Sequence, residues 1–420
     1  MTRVFFKTFG CSLNHSDTET MKGILLDYGF EIVDMLESAE VIVINTCCVK
    51  KPTENKIFNY LNRLKELKLP IVVAGCLAQA MPGKVKNYAL LGPDNITEIK
   101  DIIEELMHKN VMQILDRKQK NLFELPKVRK NKIVEIIPIS TGCLGNCSYC
   151  IVKSARGDFY SYDSQQIVKR VKDSVLTGAK EIWLTSQDTG CYGHDIKSSL
   201  PELLNRLVLI EGDFKIRIGM MNPEHLLGMI DEISDILSNP KVFKFLHIPV
   251  QSGNNRILKK MKRKYAIEDF VSGINEVRKT HPDLTLSTDV ICGFPTETEK
   301  EFKETVRLIE LIKPDFLNIS RFWPRPGTPA ARYKQLNGEI TKNRSRLITS
   351  VFEWDVLEKN KKWVNWEGKV LIDEKGKDNS WVGRNYAYKP VLLFGDYELG
   401  QTLDIKVVKH TTYDLRAVPL

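Results

Sequence analysis

No apolar run in the 420 residues approaches the ~20 needed to cross a bilayer, and no charged-then-apolar start marks a secretory leader. Neither a membrane span nor export is therefore expected. Without a secretory context, the nine cysteines do not read as a disulfide framework, and metal binding or catalysis is their expected use. Long-period repeats and low-complexity stretches are also missing, which excludes a solenoid or an extended disordered tail. The remaining composition is that of an ordinary globular chain, long enough for about three domains.

Positive charge is in excess, at a net +9. This permits nucleic-acid binding without proving it. The excess is concentrated. Arg117 to Lys132, "RKQKNLFELPKVRKNK", carries seven Lys/Arg against one Glu, and Arg256 to Lys264, "RILKKMKRK", carries six and no acid. Each run reads as well as a solvated face or linker.

Three textures follow one another. Up to about residue 115, short apolar runs (Val4–Phe9, Val41–Asn45, Ile71–Gly75, Tyr88–Gly92) alternate with helical patterns over Asp17–Tyr28 and Glu54–Leu67. That alternation predicts an α/β unit with a doubly wound parallel sheet. The first basic run reads as a linker. Six further candidate strands (Ile133–Ile139, Glu181–Thr185, Lys215–Gly219, Phe245–Val250, Leu284–Ile291, Phe316–Ile319) predict a six-unit partial α/β barrel. From about Trp366, "KVLID", "YKPVLLF" and "LDIKVVKH" between Gly-, Asp- and Asn-containing turns predict a small all-β module. The expected borders are 1–112, 129–358 and 360–420.

Cys143, Cys147 and Cys150 in "CLGNCSYC" follow the first barrel strand, so they belong at the carboxyl end of the barrel, where such folds place their chemistry. Thiolates favour soft metals, including iron–sulfur clusters. Three on a four-iron cluster leave one iron open to a small molecule. A structural zinc site is the alternative, but it needs a fourth Cys or His nearby, and none follows until Cys191 and His194. Cys11, Cys47 and Cys76 each stand just past a candidate strand of the first unit. In a parallel sheet those ends share one edge, so the three should converge into a second thiolate set. Single buried cysteines are common packing residues, and Cys191 and Cys292 are read that way; Cys48, next to Cys47, should point elsewhere.

The motifs "KTFGC", "NTC", "GCL", "TGCLGNCSYCIVKSARG", "HIPVQSGNNRILKKMKRKY", "STDVICGFPTETEKEF" and "FWPRPGTPAARY" together resemble the radical S-adenosylmethionine (SAM) methylthiotransferase family over essentially the whole chain. The core motif is most similar to the archaeal and eukaryotic branch, which acts on N6-threonylcarbamoyladenosine at tRNA position 37. The resemblance implies a cluster domain, a radical-SAM core and a C-terminal TRAM module, an OB-like RNA-binding fold. It also implies two 4Fe–4S clusters, two molecules of SAM, and an electron donor such as ferredoxin or flavodoxin. Eukaryotic relatives carry a membrane tail; since this chain stops at "DLRAVPL", a cytoplasmic protein without a membrane anchor is expected.

On that resemblance, Gln187, Asp188, Gln251 and Gly293 should line the SAM site. No catalytic side chain stands out. A threonylcarbamoyl group carries a carboxylate, whose burial calls for a cation, and Lys153 and Arg156 in "CIVKSARG" are the candidates. The isopentenyl-type relatives usually have proline where Lys153 stands. Phosphate contacts are expected from Lys259, Lys260, Lys262 and Arg263. From Trp366 to Leu420 eight Lys/Arg balance eight Asp/Glu, so the terminal module should grip RNA through placed residues such as Arg384, Lys389 and Lys409, with Trp381 and Tyr386 as possible stacking platforms. The rival readings are enzymes acting on isopentenyladenosine or on a ribosomal-protein aspartate, and a non-catalytic iron–sulfur RNA-binding protein.

Overall fold

The computed structural model describes residues 1–118 and 121–420, so Lys120 of the first basic run lies outside it. The first unit is a six-stranded parallel sheet formed by β1 (Arg3–Thr8), β2 (Glu31–Val33), β3 (Val41–Thr46), β4 (Ile71–Gly75), β5 (Ala89–Leu91) and β6 (Gln113–Ile114). Their order is β2-β1-β3-β4-β5-β6. The central strand "VIVINT" is buried at all six positions, as a strand covered by helices on both faces requires. The two edge strands β2 and β6 carry too few residues to stand out as sequence patterns.

The core follows with β7 (Val134–Pro138), a small antiparallel pair β8 (Ser140–Thr141) and β9 (Tyr160–Ser161) that frames the cysteine loop, and then β10 (Glu181–Thr185) and β11 (Lys215–Arg217). Strands β12 (Phe245–His247), β13 (Thr285–Cys292) and β14 (Phe316–Arg321) complete it. Parallel pairing gives two three-stranded arcs, β11-β10-β7 and β12-β13-β14, joined by a parallel bridge from Ile216 to Val242. The six-unit open barrel is thus present. Its helices start on clear signals: Asp163 accepts hydrogen bonds from the amides of Gln165 and Gln166, and Thr298 with Glu301 forms a capping box.

After the helix Gly338–Lys361 comes a closed five-stranded barrel of β15 (Glu367–Lys375), β16 (Ser380–Arg384), β17 (Pro390–Phe394), β18 (Thr402–His410) and β19 (Leu415–Pro419). This TRAM-like module docks on the amino ends of the core strands. Lys244, just before β12, donates its amide to the Tyr386 carbonyl, and Asn131, before β7, reaches the Asp373 carbonyl. The cysteine loop lies at the opposite, carboxyl end.

That docking corrects three expectations. Arg384 is not offered to RNA: its Nε donates to Asp373 Oδ2 at 2.9 Å and its guanidinium stacks on Tyr388. Lys389 is buried between Asp315 (2.7 Å) and Asn360 (2.9 Å) of the core. Tyr386 likewise spends its hydroxyl on Asp283. Of the named cations of this module only Lys409 is exposed. The linker is also not a free basic strap, because Lys127 pairs with Glu19 and Glu135 and all three are nearly buried.

Candidate active site

Strands β1, β3 and β4 are neighbours, and one of the predicted cysteines follows within three residues of the end of each. Cys11 caps the helix Ser12–Asp27, Cys47 follows β3, and Cys76 opens the short helix Cys76–Ala80. The segments that carry them meet at one edge of the sheet. A Cβ on Gly10 would lie 3.1 Å from the Cβ of Cys47, and one on Gly75 would lie 2.2 Å from Asn45 Oδ1, with Gly75 at φ +88°. Glycine is the residue that allows Cys76 to turn off the strand there.

The second set forms on the loop between β8 and β9. Gly145 N–H donates to Cys143 Sγ at 3.2 Å and Val152 N–H to Cys150 Sγ at 3.4 Å. A Cβ on Gly145 would sit 3.2 Å from Cys143 Sγ and 3.9 Å from Cys147 Sγ, so the glycine keeps a cradle open beside the sulfurs. Ser148 locks the loop to the second basic run, its amide on the Met261 carbonyl and its hydroxyl on that of Lys260.

These sets suit an iron–sulfur cluster better than a single ion. Among the described residues, the trio whose ligand atoms all lie within 4.8 Å of one another is Asp188, Cys191 and His225, and neither cysteine trio meets that closeness. Burial also pushes Cys47 up to about 11, Cys143 to about 11 and Cys150 to about 12. As free groups these thiols stay protonated; a bound cationic centre is what would hold them as thiolates.

A chamber of about 350 Å³ opens beside Cys150. Val49 and Lys50, two and three residues past Cys47, form one wall; Tyr149, Cys150 and Ile151 form another; His247, Gln251, Asp289, Asn318, Arg321 and Trp323 come from the barrel mouth. His247 Nε2 and Asp289 Oδ2 are 3.1 Å apart. Burial raises the Asp289 pKa, but the hydrogen bond and charge of His247 outweigh it and leave the carboxyl below its ordinary range. Neither residue was singled out from sequence, although both lie inside quoted motifs; their meeting requires β12 and β13 to pair.

The expected SAM contacts divide. Gln251 faces the chamber with φ +67°, and Gln187 Oε1 is buried without a hydrogen-bond partner, an acceptor site left open. Asp188 is fully committed, accepting from the amides of Gly190 and Asn222 and from Asn222 Nδ2. Gly293 has φ +74°, gives its N–H to Glu297, and leaves no room for a Cβ against Thr341, so packing accounts for it.

The expected substrate and RNA cations divide too. Lys153 is exposed in a cleft of about 390 Å³ with Arg117, Lys118 and Tyr160. Arg156, in contrast, is buried against Asp17 and Asn14 of the first unit at 2.7 Å each, so it is not free for a substrate carboxylate. Lys259 and Lys262 are exposed and Lys260 reaches Thr296. Arg263 points inward, its Nη1 3.3 Å from Cys147 Sγ, and does not belong to an RNA surface.

Residues 3–90 match the Uncharacterized protein family UPF0004, and residues 137–309 match the Radical SAM superfamily. A Pyrococcus horikoshii protein named "Probable threonylcarbamoyladenosine tRNA methylthiotransferase" is 41% identical over 94% of this chain and 94% of its own length. The chain belongs to the threonylcarbamoyladenosine tRNA methylthiotransferase family. The human member is 39% identical over 93% of this chain and 69% of its own. In this family the core is a radical-SAM domain, the class that uses SAM with a 4Fe–4S cluster, and the chain is an enzyme of that class. The fold is shared more widely. The radical SAM methyltransferase TsrM of Kitasatospora setae superimposes with a TM-score of 0.56 over 79% of this chain and 75% of that one, at 13% identity. No described helix is long and apolar enough to cross a membrane.

Proposed function

We propose that this chain converts N6-threonylcarbamoyladenosine at position 37 of tRNA to its 2-methylthio derivative in the cytoplasm. Cys143, Cys147 and Cys150 would hold the cluster that binds SAM, and Cys11, Cys47 and Cys76 a second one that carries the sulfur. The observation that carries this reading is the chamber itself: one cavity is walled by Cys150 on one side and by the segment after Cys47 on the other. A base placed there would lie against Cys150 of the core set and against the segment that follows Cys47.

Carbon 2 of adenine is neither acidic nor electrophilic enough for ordinary acid–base work, and bound SAM with its cluster supplies the one-electron chemistry that it needs. The protein's share is placement. Gln251 and the His247–Asp289 pair would offer hydrogen bonds to base or ribose, and Lys153, in its own cleft with Arg117 and Tyr160, would supply the cation for the threonyl carboxylate. Exposed Lys259 and Lys262 beside the cysteine loop would take tRNA phosphates. A ferredoxin or flavodoxin would deliver the electrons.

Nucleoside mass spectrometry of tRNA from cells with and without this gene tests the reading. Loss of the 2-methylthio nucleoside, with accumulation of its unthiolated precursor, is expected. Equal turnover of isopentenyladenosine tRNA, modification of a ribosomal-protein aspartate instead, or failure to cleave SAM after cluster reduction would each overturn it.

A further inference from the structure

Arg325 is a buried cation whose hydrogen bonding the chain leaves unfinished. It stands in "FWPRPGTPAARY" between Pro324 and Pro326, which restrict its backbone, and its carbonyl accepts the amide and the hydroxyl of Thr328 at 3.2 and 2.8 Å. The residue is 4% exposed and lines the chamber that Cys150 also lines. One arm is spent: Nη1 donates to Glu54 Oε2 at 2.6 Å, on the helix Lys51–Leu64 that follows Cys47. The other two nitrogens, Nε and Nη2, are buried and have no hydrogen-bond partner. Among the described residues Arg325 is the arginine left with two such nitrogens; Arg263, in contrast, uses all three of its own.

Nε and Nη2 lie on one edge of the guanidinium, where their N–H groups form a fork that suits an anion. Leaving buried donors unpaired is costly, so they call for a partner that the chain itself does not supply. The surrounding charges agree. Glu54 is shared by three cations, with Lys51 and Lys84 on Oε1 at 2.7 Å each and Arg325 on Oε2, so positive charge is in surplus around it. The acid that lines the chamber, Asp289, is matched to His247 at 3.1 Å. The buried Cys48 thiol has Cys76, Cys47, Arg325 and Cys150 as electrostatic neighbours, which puts the guanidinium near residues of both cysteine sets.

We propose that the Nε/Nη2 edge of Arg325 is an anion subsite of the chamber, and that its occupant is the sulfur to be transferred, bound as hydrosulfide. Two charge-assisted N–H···S bonds hold the sulfur there, and the arginine neither makes nor breaks a covalent bond. Position decides between this anion and a carboxylate. The guanidinium is fastened through Glu54 to the segment after Cys47, the side to which the proposed function gives the sulfur. The inference rests on that two-cluster reading and adds the residue that binds the sulfur.

The test adds sodium sulfide to the anaerobically reconstituted full chain. The first-unit cluster is read alone by electron paramagnetic resonance, in the Cys143/Cys147/Cys150→Ala background. Sulfide should shift its signal saturably, and with iron content held Arg325→Gln should raise the half-saturating concentration by about tenfold, as loss of charge-assisted hydrogen bonds implies. Arg325→Lys keeps the charge without the fork and should recover only part of that loss. Glu54→Gln breaks the tie to the first unit but keeps the fork, and should move the value much less. Equal losses in Glu54→Gln and Arg325→Gln would make Arg325 a structural tie and overturn the inference. So would an unmoved Arg325→Gln, a wild-type signal that sulfide leaves unchanged, or loss of first-unit iron in both Arg325 variants. SAM binding to the two-cluster chain is the second arm: if Arg325→Gln weakens it and leaves sulfide binding unmoved, the fork belongs to the carboxylate of SAM and the inference falls. Absence of any 4Fe–4S signal in the wild type would instead sink the two-cluster reading, and this inference with it.

Discussion

The arginines and lysines around the cysteines show how much one residue's surroundings decide. Lys153 and Arg156 are three positions apart in "CIVKSARG", yet one is exposed in a cleft and the other is sealed onto Asp17. Lys153→Ala should therefore cut turnover on threonylcarbamoyl-modified tRNA by tenfold or more while leaving uncoupled SAM cleavage near wild type. Equal loss of both activities would place Lys153 at SAM. The cysteines allow a sharper measurement. The reconstituted wild type should hold about eight irons, from two four-iron clusters, and replacing Cys143, Cys147 and Cys150 by Ala should leave about four and abolish SAM cleavage. Full iron in that variant would show the ligands to be elsewhere.

At the scale of elements, the segment Asn255–Lys264 does two things. The inward residues Ile257, Leu258, Met261 and Arg263 pack and support the cysteine loop, while Lys259, Lys262 and Lys264 face solvent. A short helix, Asn255–Lys260, capped by Asn254 sets Ile257 and Leu258 against Lys259, and past its end the chain turns, with Lys262 at φ +59°, so that Met261 and Arg263 are buried while Lys262 and Lys264 are exposed. Neutralising Lys259, Lys260 and Lys262 to Gln should weaken tRNA binding and flatten the logarithmic salt slope by about two, because each lost phosphate contact releases fewer counterions. Adding Arg263→Gln should disturb the cluster without flattening the slope further. A slope unchanged by the lysine substitutions would return them to a plain solvated face.

The whole molecule is organised along the barrel axis. A continuous apolar cluster runs from Val4 and Met21 of the first unit through the core to Val356, and Arg325 of the core reaches Glu54 of the first unit at 2.6 Å. Three cations, Lys51, Lys84 and Arg325, overcome the cost of burying Glu54 and hold it at about 2. These two units are thus fixed across the chamber. The TRAM-like barrel closes the far end, where Glu181 is buried with Trp183 donating to it at 2.7 Å. Burial, and then the nearby Asp373, raise Glu181 from 4.5 to about 8. Because its folded value exceeds the unfolded one, the protonated carboxyl stabilises this interface fully below about pH 4.5, and that contribution is lost as pH rises through about 8. Glu181→Gln should be about 1–2 kcal/mol more stable than wild type at pH 8, by urea midpoint, and nearly equal to it at pH 4. A gain that is the same at both pH values would assign the effect to packing.

The amino-acid sequence by itself determined the three-part order, the six barrel strands and both cysteine sets. Those properties are carried by short-range patterns: apolar period, turn residues, and position just past a strand, which in a parallel sheet means a shared edge. Edge strands β2 and β6 and the barrel strands β16 and β19 had too little pattern to be seen. Only the tertiary structure decided which charges face water. Arg156 meets Asn14 across 142 positions and Arg325 meets Glu54 across 271. Arg384 and Lys389 are drawn into the seam with the core by Asp373 and Asp315. A charged side chain looks the same in sequence whether it will be solvated or buried, because its partner comes from another element; burial is settled by that partner, and the partner is known only once the chain has folded.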